Sequence, residues 1–493
     1  MCAAPLAGGA SGADALRALL PHLLAALRTG ATARPGPLPA GGPAAVTRHV
    51  TETLGPVLPD HGTGAEEALR TLVHTLAAGA ADPAHPLCAA HLHTPPLALA
   101  AAADLAASAL NPSLDSWDQA PAASTLEALV TRALAAEVHP DAPDPDALVT
   151  TGGTESNQLA LLLARERAAA VVAACPGDPS HPHSHSHSHP HSHSTIHPTP
   201  LRTLVGANAH HSFQRATWLL GLPAPVVLPT PRGTLDPTAV HHALTDLAGQ
   251  PVLVAATAGT TDAGLVDPLP EIADRCAAHT TPTGPVDFHV DAAYAGPILF
   301  SATHRGLLAG LDRARTVTLD LHKLGWQPAA AGLLAVRDLA DLAVLGHTAD
   351  YLNADDDTDA GLPDLLGRSL RTTRRPDILK TAVTLRALGR TGLGALVDTC
   401  MTLAQDLADL VEKSPHLELH ARPILTTVLF RPYDADAPTV AAIRRTLLTD
   451  GRAVLGRATA DGRLWLKATL LNPHTTLDDL IQLITLVEGS TPR

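Results

Sequence analysis

Between residues 146 and 340 the chain repeats one pattern that narrows its possible folds more than any other feature. Short, nearly uninterrupted apolar runs alternate there with helix-forming stretches. The runs lie at 147–151, 203–207, 252–257, 286–291, 316–321 and 332–336. A strand with one wet face alternates apolar with polar residues, whereas a strand covered on both faces stays apolar throughout. The pattern predicts an α/β fold: a mostly parallel central sheet with flanking crossover helices. Open sheets of this kind bind ligands beyond the carboxyl ends of their strands, so the polar clusters after each run are where chemistry is sought.

The flanking sequence reads differently. Leu16, Leu19, Leu20, Leu23, Leu24 and Leu27 recur at helical spacing, and residues 30–43, dense in Gly and Pro, read as an extended linker. A helical region follows to about residue 140, broken at Asn111-Pro112-Ser113. Beyond 345 come an acidic run at 355–359, a long helix from about Pro376, strands at 424–430 and 464–469, and a helix at 477–487. The expected division is an N-terminal helical segment at 1–90, a large domain at 91–345, and a smaller C-terminal α+β domain within 346–493. Within the large domain, residues 180–198 form an insertion in which His alternates with Ser or Pro. It reads as a low-complexity surface tract, with metal binding by its imidazoles as the other reading.

Composition excludes several classes. Hydrophobic residues make up 45% and charged residues 17%, enough for a packed core, but aromatics are only 2%, so Ala, Leu and Val must fill it. A formal charge of −14 with basic residues scattered along the chain argues against a nucleic-acid partner. The five cysteines are spread out with no C-x-x-C pair, which argues against a disulfide framework and a zinc site. No metal is expected. The most apolar window, 97–110, is short of the roughly 20 residues a membrane span needs and carries Asp104. A cytoplasmic protein with no membrane partner is expected.

Four lysines stand among the 34 basic residues, at 323, 380, 413 and 467. Arginine supplies generic positive charge but no nucleophilic amine, whereas lysine forms a Schiff base with a carbonyl. Lys323 follows the run at 316–321 in Thr318-Leu319-Asp320-Leu321-His322-Lys323. An accident of composition remains the alternative. At another strand end stands His289-Val290-Asp291-Ala292-Ala293-Tyr294-Ala295-Gly296. A carboxylate there suits a protonated pyridine nitrogen, and the small Ala293 allows a flat ring to approach; a cap or turn role for Asp291 also stays open. Thr151-Gly152-Gly153-Thr154-Glu155-Ser156-Asn157 joins the first strand to a helix. Such a turn suits a phosphate, or serves as an ordinary cap. His210-His211-Ser212 follows the second strand, where a histidine could stack on a flat cofactor.

Taken in this order, the motifs resemble the group II pyridoxal-phosphate decarboxylases, which act on aromatic amino acids, glutamate and diamino acids. The likeness runs from about His91-Leu92 to the C-terminus. It implies a type I, aspartate-aminotransferase-like fold, pyridoxal 5'-phosphate as cofactor, and a homodimer. It also implies that Lys323 carries the cofactor as a Schiff base, Asp291 pairs with its pyridine nitrogen, and His210 and Ala293 flank the ring. Gly153 and Thr154 would hold the phosphate, Thr260 in Ala258-Gly259-Thr260-Thr261 would lie near the cofactor, and His322 would flank the lysine. Tyr351 matches the family's mobile-loop tyrosine that helps protonate the carbanion. Asn111 to Gln119, Ser369 to Arg375 and Leu470 to Thr476 look most like segments of bacterial lysine or L-2,4-diaminobutyrate decarboxylases. His93, where relatives carry an amide, departs from that pattern. The expected activity is decarboxylation of an L-amino acid, a diamino acid such as lysine or 2,4-diaminobutyrate, to its amine and CO2. The alternatives are an aromatic or glutamate decarboxylase, another lyase or aminotransferase on the same fold, and a non-catalytic His-rich metal-binding protein.

Overall fold

The computed structural model describes residues 4–174, 201–281, 284–346, 356 and 359–491. In chain order the elements begin with helices α1 (Gly9–Ala33), α2 (Gly42–Leu54) and α3 (Ala65–Gly79), then β1 (Cys88–Ala89), α4 (Ala98–Leu110) and α5 (Pro121–Val138). Next come β2 (Asp146–Thr150), α6 (Gly153–Ala174), β3 (Arg202–Gly206), α7 (Ser212–Leu219), β4 (Val226–Leu228) and α8 (Pro237–Asp246). They are followed by β5 (Val252–Thr257), α9 (Leu269–His279), β6 (Val286–Ala292), β7 (Thr316–Asp320) and β8 (Gly332–Val336). The helix Ile378–Lys413, the strands β9 (Leu417–Leu419), β10 (Thr427–Pro432), β11 (Val454–Ala460) and β12 (Arg463–Thr469), and the helices Ala437–Thr449 and Leu477–Gly489 complete the chain. Contacts group Pro96–Ala107 with Pro112–Val397 as a larger unit, and Met1–Pro95 with Ser108–Asn111 and Asp398–Arg493 as a smaller one.

The larger unit is built on a seven-stranded sheet in the order β2-β8-β7-β6-β5-β3-β4. Every pairing from β7 to β4 is parallel, while β8 runs antiparallel to both β7 and β2. All residues of β2, β5, β7 and β8 are buried, as their unbroken apolar character requires. The expected strands are present, with ends shifted by about one residue. β4 was not anticipated: it is three residues long, bounded by Pro225 and Pro229, and lies at the sheet edge, where proline is tolerated. Helix α6 packs Leu159 and Leu163 with Leu148 and Leu334, and Leu161 and Ala164 with Val205, Phe213 and Leu253. That packing ties its first turn to the end of β2. Gly332 opens β8 directly beneath this turn: a Cβ there would lie 2.5 Å from the Gly152 Cα.

The smaller unit holds a five-stranded sheet in the order β1-β11-β12-β10-β9. Its core gathers Leu87 and Ala89 with Leu407, Phe430, Leu455, Leu466 and Leu483. Residues before 91 and after 397 therefore share one core, whereas the sequence reading divides the chain at 90 and 345. The join is the parallel pairing of β1 with β11, which local sequence does not announce. The Gly/Pro segment also begins later than expected, because α1 continues through Gly30 to Ala33. Gly30 is a contact glycine: a Cβ there would stand 2.4 Å from the His74 carbonyl oxygen of α3. The long helix Ile378–Lys413 bends at Gly389, whose φ of 63° falls outside helical values. Among the described residues no helix is long and apolar enough to cross a membrane. The histidine tract lies outside the described residues, as do Tyr351 and most of the acidic run at 355–359.

One buried ion pair braces the larger unit. Arg374 donates two hydrogen bonds, of 2.8 and 2.6 Å, to the Glu127 carboxylate on α5, and both side chains are almost fully buried. Removing one partner strands the other charge in a low-dielectric interior, at a cost of about 3–5 kcal/mol. Glu127→Ala is expected to lower the urea-unfolding stability by that order. The double replacement Glu127→Met with Arg374→Met is expected to cost less than the single change, because no buried charge is left unpaired.

Candidate functional site

Strand direction brings the polar motifs together. β3, β5, β6 and β7 are parallel, and two successive antiparallel pairings through β8 make β2 run the same way. The carboxyl ends of all five strands therefore lie on one edge of the sheet. β2 delivers Gly153 and Thr154 to it, β3 delivers His210, β5 delivers Thr260, β6 delivers Asp291 and Ala293, and β7 delivers His322 and Lys323. Register sets Asp291 level with Thr257 on β5 and Thr318 on β7.

Lys323 is anchored within this edge. Its Nζ lies 2.9 Å from Asp320 Oδ2, one turn back in the chain, and its side chain is largely buried. The His322 ring passes 3.6 Å from the same carboxylate oxygen. Burial lowers the His322 pKa and outweighs the opposing pull of Asp320. Asp320 Oδ1 and His322 Nδ1 are both buried without a hydrogen-bond partner. Two such orphaned atoms beside a primary amine mark a place that a polar ligand would complete. The glycines let the turn after β2 pack close against these side chains. A Cβ on Gly152 would stand 3.1 Å from the His322 ring, and one on Gly153 would stand 3.0 Å from the Ala293 methyl and 3.2 Å from Asp320 Oδ2. Gly153 also opens α6, whose first-turn N–H groups have no partner within the helix and present positive potential.

Asp291, 5% exposed, accepts hydrogen bonds from the Ala293 N–H at 3.1 Å and from Asn157 Nδ2 at 2.8 Å. Two bonds leave a carboxylate with acceptor capacity to spare. His210 senses Asp291, Lys323 and Asp320 electrostatically, but burial is the largest influence and lowers its pKa, keeping the ring neutral at pH 7. Its Nδ1 accepts from the Ser212 N–H at 3.3 Å. Thr154 is exposed in the first turn of α6. Thr260 is buried, and its hydroxyl accepts from the Leu265 N–H at 3.0 Å, which fixes the turn after β5. The sheet edge thus gathers Gly153, Thr154, His210, Thr260, Asp291, Ala293, His322 and Lys323, all within the larger unit. Among the described residues no group of three His, Cys, Asp or Glu side chains could hold a metal ion.

Asp320 and Asn157 carry no assigned role in the sequence reading, although both stand inside motifs it quotes. A signal existed for Asp320, an acid three residues before a lysine in a tight turn. For Asn157 the signal lies in contacts across the fold. The residues present fit pyridoxal 5'-phosphate: an amine for its aldehyde, a carboxylate for its ring nitrogen, a helix start for its phosphate, and small residues where a flat ring must lie.

Comparison with known proteins agrees. Residues 48–433 match the family model described as the pyridoxal-dependent decarboxylase conserved domain. The chain is 39% identical over 460 residues to an L-2,4-diaminobutyrate decarboxylase of Rhizobium meliloti, covering 90% of this chain and 86% of that protein. It is 30% identical to an L-2,4-diaminobutyrate decarboxylase of Acinetobacter baumannii, covering 88% and 85%. The crystal structure of the glutamate decarboxylase domain of a Vibrio parahaemolyticus diaminobutyrate-pyruvate transaminase and L-2,4-diaminobutyrate decarboxylase superposes with a TM-score of 0.83. That pair is 29% identical, covering 99% of this chain and 97% of that one. With four-fifths of its length spanned by the family model, and a sheet edge that gathers an amine, a buried carboxylate and a glycine cradle, this chain belongs to the pyridoxal-dependent decarboxylase family.

Proposed function

We propose that this pyridoxal 5'-phosphate-dependent carboxy-lyase acts on L-2,4-diaminobutyrate, releasing CO2 and 1,3-diaminopropane, with Lys323 as the residue that holds the cofactor. The observation that carries the site assignment is the Lys323 amine at 2.9 Å from buried Asp320, on the sheet edge that also bears Asp291. The substrate assignment is supported by relatives named for that diamino acid over most of their length.

When bound, pyridoxal 5'-phosphate supplies an electron-poor ring that takes up the electron pair left when CO2 departs. The chain's own residues orient and charge the site. Asp320 holds the Lys323 amine in place and balances its charge when protonated. Asp291 would hold a proton at the cofactor's ring nitrogen. Ala293 and neutral His210 would flank the ring, and His322 and Thr260 would border it. Gly153 and Thr154 would receive the phosphate at the start of α6. The protein's main contribution would be to orient the substrate's Cα–carboxylate bond, since alignment selects which bond breaks. Tyr351, outside the described residues, is assigned by its motif as the acid that delivers a proton to Cα after the carbon–carbon bond breaks.

The working form is proposed to be a cytoplasmic homodimer. In its support, α1 and α3 pack on each other and each carries an exposed leucine, Leu24 and Leu76, apolar area that suits burial against a second copy.

Three outcomes are expected. Among L-2,4-diaminobutyrate, lysine, ornithine, glutamate and aromatic amino acids, the first gives the highest rate of CO2 release, with 1,3-diaminopropane identified by mass; a preference for glutamate or an aromatic substrate removes the substrate assignment. Lys323→Ala lowers turnover by roughly a thousandfold or more, as loss of a covalent catalytic amine does. Sedimentation gives twice the chain mass, and Leu24→Glu with Leu76→Glu shifts the protein toward the monomer.

A further inference from the structure

One buried side chain ties the elements around Asp291 together. Asn157, on the second turn of α6, is fully buried. An asparagine amide offers two N–H donors and an oxygen that accepts twice, and here all four positions are used. Its Nδ2 donates to Asp291 Oδ2 at 2.8 Å and to Ser212 Oγ at 2.9 Å. Its Oδ1 accepts from the Thr318 hydroxyl at 2.8 Å and faces His289 Nε2 at 3.1 Å.

The charge on Asp291 dictates the direction of every bond in this array. An ionised carboxylate only accepts, so the amide must turn its NH2 group toward Asp291 and its oxygen toward Thr318 and His289. An oxygen can only accept from His289, so that ring carries its proton on Nε2. Nδ1 is left to accept from the Thr316 hydroxyl, 2.8 Å away. His289 is fully buried, and burial lowers its pKa to about 4, so it stays neutral and adds no competing positive charge behind Asp291. Residues from the start of α7, β6 and β7 thus converge on the Asn157 amide, which turns one N–H to the Asp291 carboxylate with fixed polarity. The bonds that Asp291 accepts from Asn157 and Ala293 come from neutral N–H donors, so its negative charge is aimed without being neutralised.

We propose that Asn157 is a positioning residue for the cofactor's ring nitrogen, acting through Asp291. This inference rests on the proposed pairing of Asp291 with that nitrogen. Asn157 sets the rotamer of the carboxylate and, through His289, Thr316 and Thr318, locks β6 and β7 in the register that presents it.

The test uses the full-length chain stripped of cofactor and titrated with pyridoxal 5'-phosphate, and in parallel with its 1-deaza analogue, in which carbon replaces the ring nitrogen. The readout is the ratio of the two dissociation constants, alongside thermal melting. Asn157→Leu keeps the shape but removes the donors. It is expected to weaken binding of the natural cofactor by about tenfold, the loss of one hydrogen bond to a charged group, while analogue binding changes by less than about twofold. Thr318→Val, which removes a single hydroxyl donor to Asn157, gives a smaller shift of the same kind and serves if the leucine variant does not fold. Asp291→Ala separates the two layers of the argument. If it leaves the ratio unchanged, the pairing of Asp291 with the nitrogen is wrong and the inference goes with it. If Asp291→Ala collapses the ratio but Asn157→Leu and Thr318→Val weaken both ligands equally, or neither, Asn157 is only a packing residue and the inference alone is overturned.

Discussion

The site depends on the parallel pairing of β6 with β7. Their register places Asp291 opposite Thr318 and Ala292 opposite Leu319, so the ends of the two strands emerge side by side. From one emerges the buried carboxylate, from the other Asp320, His322 and Lys323. A slip of one residue would turn every side chain to the opposite face and separate the amine from the carboxylate. Register here is therefore a chemical requirement as well as a packing one. The buried polar residues between the strands and α6 are the means by which it is held.

Those polar residues explain how an aromatic-poor chain specifies a site. Leu, Val and Ala give the sheet its burial, but aliphatic packing alone tolerates exchange and small shifts. His289, Thr316, Thr318, Asn157 and Ser212 form hydrogen bonds whose donors and acceptors match in only one arrangement. Buried polar groups are costly if left unpaired, so such an array favours one register strongly. The glycines at 152, 153 and 332 do complementary work, allowing the end of β2, the start of β8 and the turn into α6 to meet with no side chain between them.

Much of the larger unit was legible because its strands are buried on both faces and read as continuous apolar runs. β4 was not, since three residues between prolines carry too little pattern. β1 and β9 were missed because they are two and three residues long, β11 because it is partly exposed, and β1 in addition pairs with a strand far away in sequence. The residues that gather at the sheet edge were legible where a motif lies within a few neighbouring positions, as around Lys323 and Asp291. Rarity of lysine was suggestive but insufficient. Lys380 is buried more deeply than Lys323 and is engaged by Asp104 at 3.1 Å and Asp377, so burial does not distinguish the two. Position at the end of a parallel strand does. Asn157 was out of reach because its partners lie 55, 134 and 161 positions away.

The central claim is that one amine, at the carboxyl end of β7, holds the cofactor. With only four lysines in the chain, a direct chemical readout is available. Borohydride reduction of the cofactor-loaded protein, followed by peptide mass analysis, would fix any lysine–cofactor bond in place. The account predicts the phosphopyridoxyl mass on the peptide containing Lys323. Modification at Lys380, Lys413 or Lys467 in its place, or at no lysine, would contradict it.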